Sequence, residues 1–254
     1  MNGIKAVGFD LFNTLITVEP RALDHVLGVL SRSLWAEGFT VEPEPFRRAH
    51  RQAALRHIVE TRRHGRETHN RFWIATALKE LGFEVEPDDP RIGRSIEVYF
   101  SAFLEFCRLI PRTEPMLGAL KVRYPLGLPS NFTHPAPARA ILEGLGIASF
   151  FDVVLISREV GYCKPHAAVF RTLVERLGVE PAEFLYVGDD PEPDIDGAYG
   201  FGIRLIWTTY LRDRGIPLAP GVSTDQQDGP RCAASRISSW DELLTLVEAG
   251  RGEP

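Results

Sequence analysis

The 254-residue chain predicts an α/β fold, a parallel sheet with helices on both faces interrupted by an inserted all-helical domain. Three observations predict it. A short apolar run, Ile4–Phe9, leads straight into Asp10. A long stretch of helical periodicity then extends from Pro20 to Leu109. Beyond Pro111 the chain returns to short strands alternating with helices, the pattern of parallel pairing through helical crossovers.

Ile4-Lys5-Ala6-Val7-Gly8-Phe9 is apolar and partly β-branched, as a buried strand ending in a loop should be. The helical block divides into Arg21–Glu37, Pro45–Arg63, His69–Leu81 and Arg91–Arg108, with Gly38, Gly65 and Gly82 as stops. Its roughly 90 residues are the size of a small bundle. Leu126–Pro129, Val153–Ile156, Phe184–Val187 and Arg204–Trp207 read as further strands. Helices near Ala136–Leu145, Ala167–Leu177 and Ile195–Tyr199 lie between them. The first strand joins this sheet across the helical block, so residues 1–17 and 112–254 are expected to form the core and 18–111 a cap. Chain crossings near 16–20 and 110–114 would let the cap act as a lid. Residues 209–236, rich in Gly, Pro, Asp and Gln, are expected to be a surface loop, and Ser239–Leu244 begins a final helix.

The composition bounds the function. Hydrophobic residues make up 44% and charged residues 25%, values of an ordinary globular protein. A net charge of −5 gives no support to a nucleic-acid partner. Cys107, Cys163 and Cys232 are scattered and odd in number, which points to reduced thiols and away from a disulfide frame or zinc site. No signal peptide is legible in Met1–Val18, and no apolar run approaches the ~20 residues that cross a bilayer. A cytoplasmic protein is expected.

Polar residues fall at the carboxyl ends of the predicted strands, where ligands bind in open parallel sheets. They are Asp10 with Thr14, Ser130 with Asn131, Lys164 in the third group, and Asp189, Asp190 and Asp194. A carboxylate at Asp10 can attack electrophilic phosphorus or carbon. Ser130 and Lys164 would hold anionic oxygens, and Asp189 with Asp10 would bind a hard divalent cation such as Mg²⁺.

Asp10-Leu11-Phe12-Asn13-Thr14-Leu15 resembles the first motif of the haloacid dehalogenase superfamily, usually DxDxTL. Leu128–Asn131 is similar to its second motif, Gly161–Pro165 to its third, and Val187–Ala198 to its fourth, GDxxxxD followed by GA. The resemblance spans about 150 residues of the core, and the helical insert sits where that family carries its C1 cap. It implies a Rossmann-like core, a hydrolase, Asp10 as nucleophile, and a small phosphorylated substrate held by Ser130, Thr14, Asn131 and Lys164. It further implies Mg²⁺ held by Asp10, the Phe12 carbonyl, Asp189 and Asp194, with Thr14 orienting Asp10.

One departure bears on the chemistry. Family phosphatases use a second Asp, two residues after the nucleophile, as general acid and base, and this chain has Phe12 there. Such assistance is typically worth ~10²–10⁴-fold, or about 3–5 kcal/mol of barrier. Hydrolytic dehalogenases of the family also carry an aromatic residue here, and halide leaves without a proton. They lack the magnesium-binding Asp pair, however, which this chain keeps, and they favour Tyr where Phe170 stands. A Mg-dependent phosphatase is therefore expected. A metal-independent 2-haloacid dehalogenase and a catalytically idle binding protein are the alternatives.

Other features read as structural. Arg47, Arg48, Arg51, Arg56, Arg62, Arg63, Arg66 and Arg71, relieved by Glu60 and Glu67, suggest a solvated helix face. His50, His57 and His64 are seven residues apart, roughly 10 Å along a helix, too far for two to share a metal. Cys163 beside Lys164 reads as a bystander whose pKa the lysine could lower. Neither the physiological substrate nor the oligomeric state is legible in the sequence.

Overall fold

The computed structural model describes residues 3–219 and 229–249. Its main sheet has six parallel strands in the order β5-β4-β1-β6-β7-β8. These are β1 (Ala6–Phe9), β4 (Leu126–Ser130), β5 (Val153–Ile156), β6 (Phe184–Gly188), β7 (Arg204–Thr208) and β8 (Ser235–Ile237). The strands β1, β4 and β6 are buried along their whole length, as expected for central strands covered on both faces. After β1 the chain builds outward through β4 and β5, then returns to build the other side through β6, β7 and β8. The reversal falls at β1, and in such sheets the carboxyl ends of the strands at the reversal are the usual ligand position.

A second, two-stranded antiparallel ribbon joins β2 (Ile16–Val18) to β3 (Cys107–Leu109). Between its strands lie α1 (Ala22–Ala36), α2 (Pro43–His64), α3 (Arg71–Glu80) and α4 (Pro90–Leu104). Pro43 and Pro90 open α2 and α4 at first-turn positions that need no amide hydrogen, and the Asp89 carboxylate caps α4 by accepting the Arg91 amide at 2.9 Å. Gly65 closes α2 at φ 70°, a left-handed conformation open to glycine. The fourth expected helix, Arg91–Arg108, stops at Leu104. Cys107–Leu109 pairs instead with Ile16–Val18, so that the two chain crossings satisfy each other's backbone groups.

On the core side, α5 (Thr113–Lys121), α6 (Pro135–Gly144), α7 (Ser157–Val160), α8 (Ala167–Leu177) and α11 (Trp240–Ala249) connect and cover the strands. The helix expected near Ile195–Tyr199 is a π-helical turn, Pro191–Asp196, running into α9 (Gly197–Gly200). Within the expected loop 209–236, the described residues form α10 (Tyr210–Asp213) and the start of β8, and residues 220–228 lie outside the description. Phe9 meets Trp240 edge-on at 6.1 Å, and Phe170 meets Tyr186 at 5.6 Å, both deep in the core. Among the described residues, no helix is long and apolar enough to cross a membrane.

Candidate active site

Register brings the site together. Gly8 on β1 stands opposite both Gly127 on β4 and Tyr186 on β6, so the three strands end abreast. Asp10 follows β1 directly and donates its amide to Val187 O at 3.0 Å. Ser130 ends β4, Asp189 follows β6, and Lys164 lies in the loop after α7. Asp194 returns from the π-helical turn to pack on Gly188, where any Cβ would fall 2.5 Å from the Asp194 side chain. Gly188 is thus required by a close approach.

Lys164 is the hub. Its ammonium donates to Asp10 Oδ1 at 2.6 Å, to Asp194 Oδ1 at 2.6 Å and to the Tyr186 hydroxyl at 2.9 Å, so all three of its protons are engaged. The Tyr186 hydroxyl in turn donates to Asp194 Oδ1 at 2.9 Å. Only 4% of Lys164 is exposed. Burial alone would pull its pKa down, but the Asp10 and Asp194 charges and hydrogen bonds outweigh it and hold the ammonium charged. Asp10 moves the other way: burial, opposed by Lys164 and reinforced by Asp194, raises its carboxyl to about 7. Asp189 rises well above the ordinary range through burial and then the Asp194 and Asp10 charges, and Asp190 reaches about 6, chiefly through burial.

These raised carboxyls describe a pocket short of positive charge. Oxygens of Asp10, Asp189 and Asp194 all lie within 4.8 Å of one another, and Asp189 Oδ2 is buried without a hydrogen-bond partner. An orphaned buried carboxylate oxygen among like charges fits a divalent cation. Asp194 also carries much of the hydrogen bonding of the site. Its Oδ1 accepts Lys164 and Tyr186, and its Oδ2 accepts the amides of Asp189 and Asp190 at 3.2 and 3.0 Å. Through these bonds it braces Lys164 and the Asp189 loop, with an oxygen within 4.8 Å of those of Asp10 and Asp189.

Two further side chains are tied within the site. Thr14 donates to Asp189 Oδ1 at 3.2 Å, so it orients Asp189 and not Asp10. Asn131 spends its side-chain amide on the Lys164 backbone, donating to Lys164 O at 2.9 Å and accepting Lys164 N at 2.8 Å. It ties the second loop to the third, leaving Ser130 as the open hydroxyl: Ser130 Oγ is buried and unpartnered. The Cys163 thiol is pushed up by burial and then by Glu67, the reverse of a lysine-activated thiol.

The Phe12 ring packs against other aromatic rings. It stacks on Phe132 at 5.3 Å and 12° and meets Phe103 of α4 at 6.2 Å, while Phe100 of α4 meets Phe132 at 5.4 Å. The position that could move a proton is therefore part of an aromatic seam between sheet edge and helical insert.

Sequence reasoning missed Tyr186, whose signal is a polar group inside the apolar strand Phe184–Gly188. It also missed Ser157 and Glu67. Ser157 Oγ accepts the Phe132 amide at 2.9 Å and donates to the Glu67 carboxylate, a contact between segments 90 residues apart.

A profile of haloacid dehalogenase-like hydrolases matches residues 4–202. The chain is 30% identical over 247 residues to ribulose-1,5-bisphosphate 5-phosphatase of Halopiger xanaduensis, covering 95% of this chain and 98% of that protein. It is 39% identical over 155 residues to phosphoserine phosphatase of Thermus thermophilus, covering 60% and 58% respectively. In fold it is similar to 2-haloacid dehalogenase from Pseudomonas syringae, with TM-score 0.72 and 24% identity over 97% of this chain and 99% of that one. The HAD phosphatase of Thermococcus onnurineus superposes with TM-score 0.63 and 25% identity, covering 96% and 98%. With its sheet order, its Asp10–Lys164–Asp194 hub and a profile match across most of its length, the chain belongs to the haloacid dehalogenase-like hydrolases.

Proposed function

We propose that the chain is a Mg²⁺-dependent phosphatase of a small phosphorylated metabolite. The carboxylate of Asp10 attacks phosphorus, forming a P–O bond to Asp10 as the bond to the leaving oxygen breaks. Water then hydrolyses the aspartyl phosphate, restoring Asp10 and releasing inorganic phosphate. Lys164 and Ser130 hold the phosphoryl oxygens. Asp10, Asp189, Asp194 and the Phe12 carbonyl would hold Mg²⁺, which when bound would offset the repulsion between a carboxylate and a phosphate. Two orphaned buried atoms carry this reading: Ser130 Oγ and Asp189 Oδ2 lack partners beside a hub in which the other polar groups are paired. The full-length similarity to a sugar-bisphosphate phosphatase supports a phosphoryl substrate. Phe12 restricts the reaction to leaving groups that depart with little help from a proton, such as acyl phosphates and acidic phosphoesters.

The test is phosphate release from a panel of acyl phosphates and phosphoesters, with Mg²⁺ or EDTA, alongside Asp10→Asn. Release that needs Mg²⁺ and disappears in Asp10→Asn supports the proposal. The apolar Phe12 seam favours one second reading, 2-haloacid dehalogenation. Halide release in EDTA, with no phosphate release from any ester, would replace the first reading by the second.

A further inference from the structure

The loop between α2 and α3 reaches across to the loops that carry Asn131 and Lys164. The Gly65 carbonyl accepts the Cys163 amide at 2.8 Å, the Glu67 amide donates to Gly161 O at 3.1 Å, and Arg66 forms an antiparallel bridge with Tyr162. Gly65 suits this docking doubly. Its φ is 70°, and a Cβ there would meet the His166 ring at 3.1 Å. That ring is itself stacked on Tyr162 at 3.9 Å.

Glu67 lies at the centre. One carboxylate oxygen accepts the Thr68 amide at 2.9 Å, which fixes the side chain. The other accepts both the Ser157 hydroxyl and the Cys163 thiol, the latter at 3.0 Å. Cys163 immediately precedes Lys164. Ser157 holds the amide of Phe132, which immediately follows Asn131. A single carboxylate from the helical insert thus grips both active-site loops, which are already tied by Asn131 to the Lys164 backbone.

We propose that Glu67 is a positioning residue that sets Lys164 and the Asn131–Phe132 turn from across the contact between the helical insert and the core. The inference rests on the phosphatase reading for its effect on turnover, but its structural content is separate. If the insert lifts about the β2–β3 ribbon, Ser157, the Cys163 thiol and amide, and Gly161 O lose their partners together. The loops bearing Asn131 and Lys164 then lose their outer support. A displacement of about 1 Å in such a support can cost ~10²-fold in rate.

The experiment is hydrogen exchange resolved at the Phe132 and Cys163 amides, together with steady-state kinetics on acetyl phosphate, for wild type, Glu67→Ala and Glu67→Gln. Glu67→Ala is expected to speed exchange at both amides by about 10-fold or more, without change at Ile110 beside the ribbon. It should lower kcat by roughly 10–100-fold with a smaller change in KM. Glu67→Gln keeps an acceptor oxygen toward both donors and should restore most of kcat. Unchanged exchange at the two amides, acceleration that includes Ile110, or a Glu67→Gln variant as impaired as Glu67→Ala would each overturn the proposal. Should Glu67→Ala fail to fold, Cys163→Ala, which removes one donor, is read at the same amides and with the same criteria. A wild type that turns over no phosphate compound would defeat the phosphatase reading, while exchange at Phe132 and Cys163 would still decide whether Glu67 holds the loops.

Discussion

The carboxyl edge of the sheet and the helical insert packed against it bury polar groups in opposite ways. At the sheet edge, Lys164 is buried fully charged because two carboxylates and a hydroxyl receive its three protons. In the insert, His50 is buried against Phe46 and Trp73, and burial lowers its pKa to about 4, leaving it neutral at pH 7. Phe12 lies at the boundary. Its backbone belongs to the polar edge, whereas its ring joins the aromatic surface of α4. The difference teaches that the core edge keeps its buried charges by pairing them, while the Phe12 ring beside that edge is given over to packing.

The largest expected effect breaks the polar side. Asp10→Asn keeps the shape and removes the proposed nucleophile, and phosphate release should fall by at least ~10³-fold, as a discontinuous phosphate assay would report. Lys164→Met comes next. It leaves Asp10 and Asp194 buried without their cation, and breaking a buried pair in this way costs about 3–5 kcal/mol. Urea denaturation should show that loss, and a stability within 1 kcal/mol of wild type would mean that the network contributes little to the fold.

Phe12→Asp tests the boundary itself. If a missing proton donor limits the reaction, the variant should gain about 10²-fold on esters with poor leaving groups and little on acyl phosphates. An equal change on both would show that Phe12 acts through packing alone.

The smallest effect concerns the insert. His50 binds a proton near pH 4 when folded and near pH 6.5 when unfolded. Between those values the unfolded chain binds more protons, so this contribution is complete above about pH 6.5 and is lost as pH falls toward 4. Its size is at most about 3 kcal/mol. Asp10, raised to about 7, acts in the opposite direction over much of the same range, so the difference between wild type and His50→Leu isolates the histidine. From pH 7.5 to 4.5 the wild-type unfolding midpoint should fall relative to that of His50→Leu, and a pH-independent difference would refute the assignment.

Much of this protein follows from local sequence. Alternation of apolar runs with helical periods is a local property, and it identified β1, β4, β5, β6 and β7 and the four helices of the insert. The polar residues at strand ends likewise placed Asp10, Ser130 and Asp189 at one edge, whereas Lys164 comes to it from the loop after α7. The register between strands far apart in sequence decided the rest. Cys107–Leu109 is a strand because Ile16–Val18 lies beside it, although its own residues continue a helical pattern. Thr14 turns to Asp189, Asn131 to the Lys164 backbone, and Asp194 to Lys164 and Tyr186, since each hydrogen bond goes to the partner that folding brings within reach. Glu67 shows the limit most plainly. In sequence it is one acid in a basic helical stretch, and only docking of the insert onto the core gives its carboxylate Ser157 and Cys163 to hold.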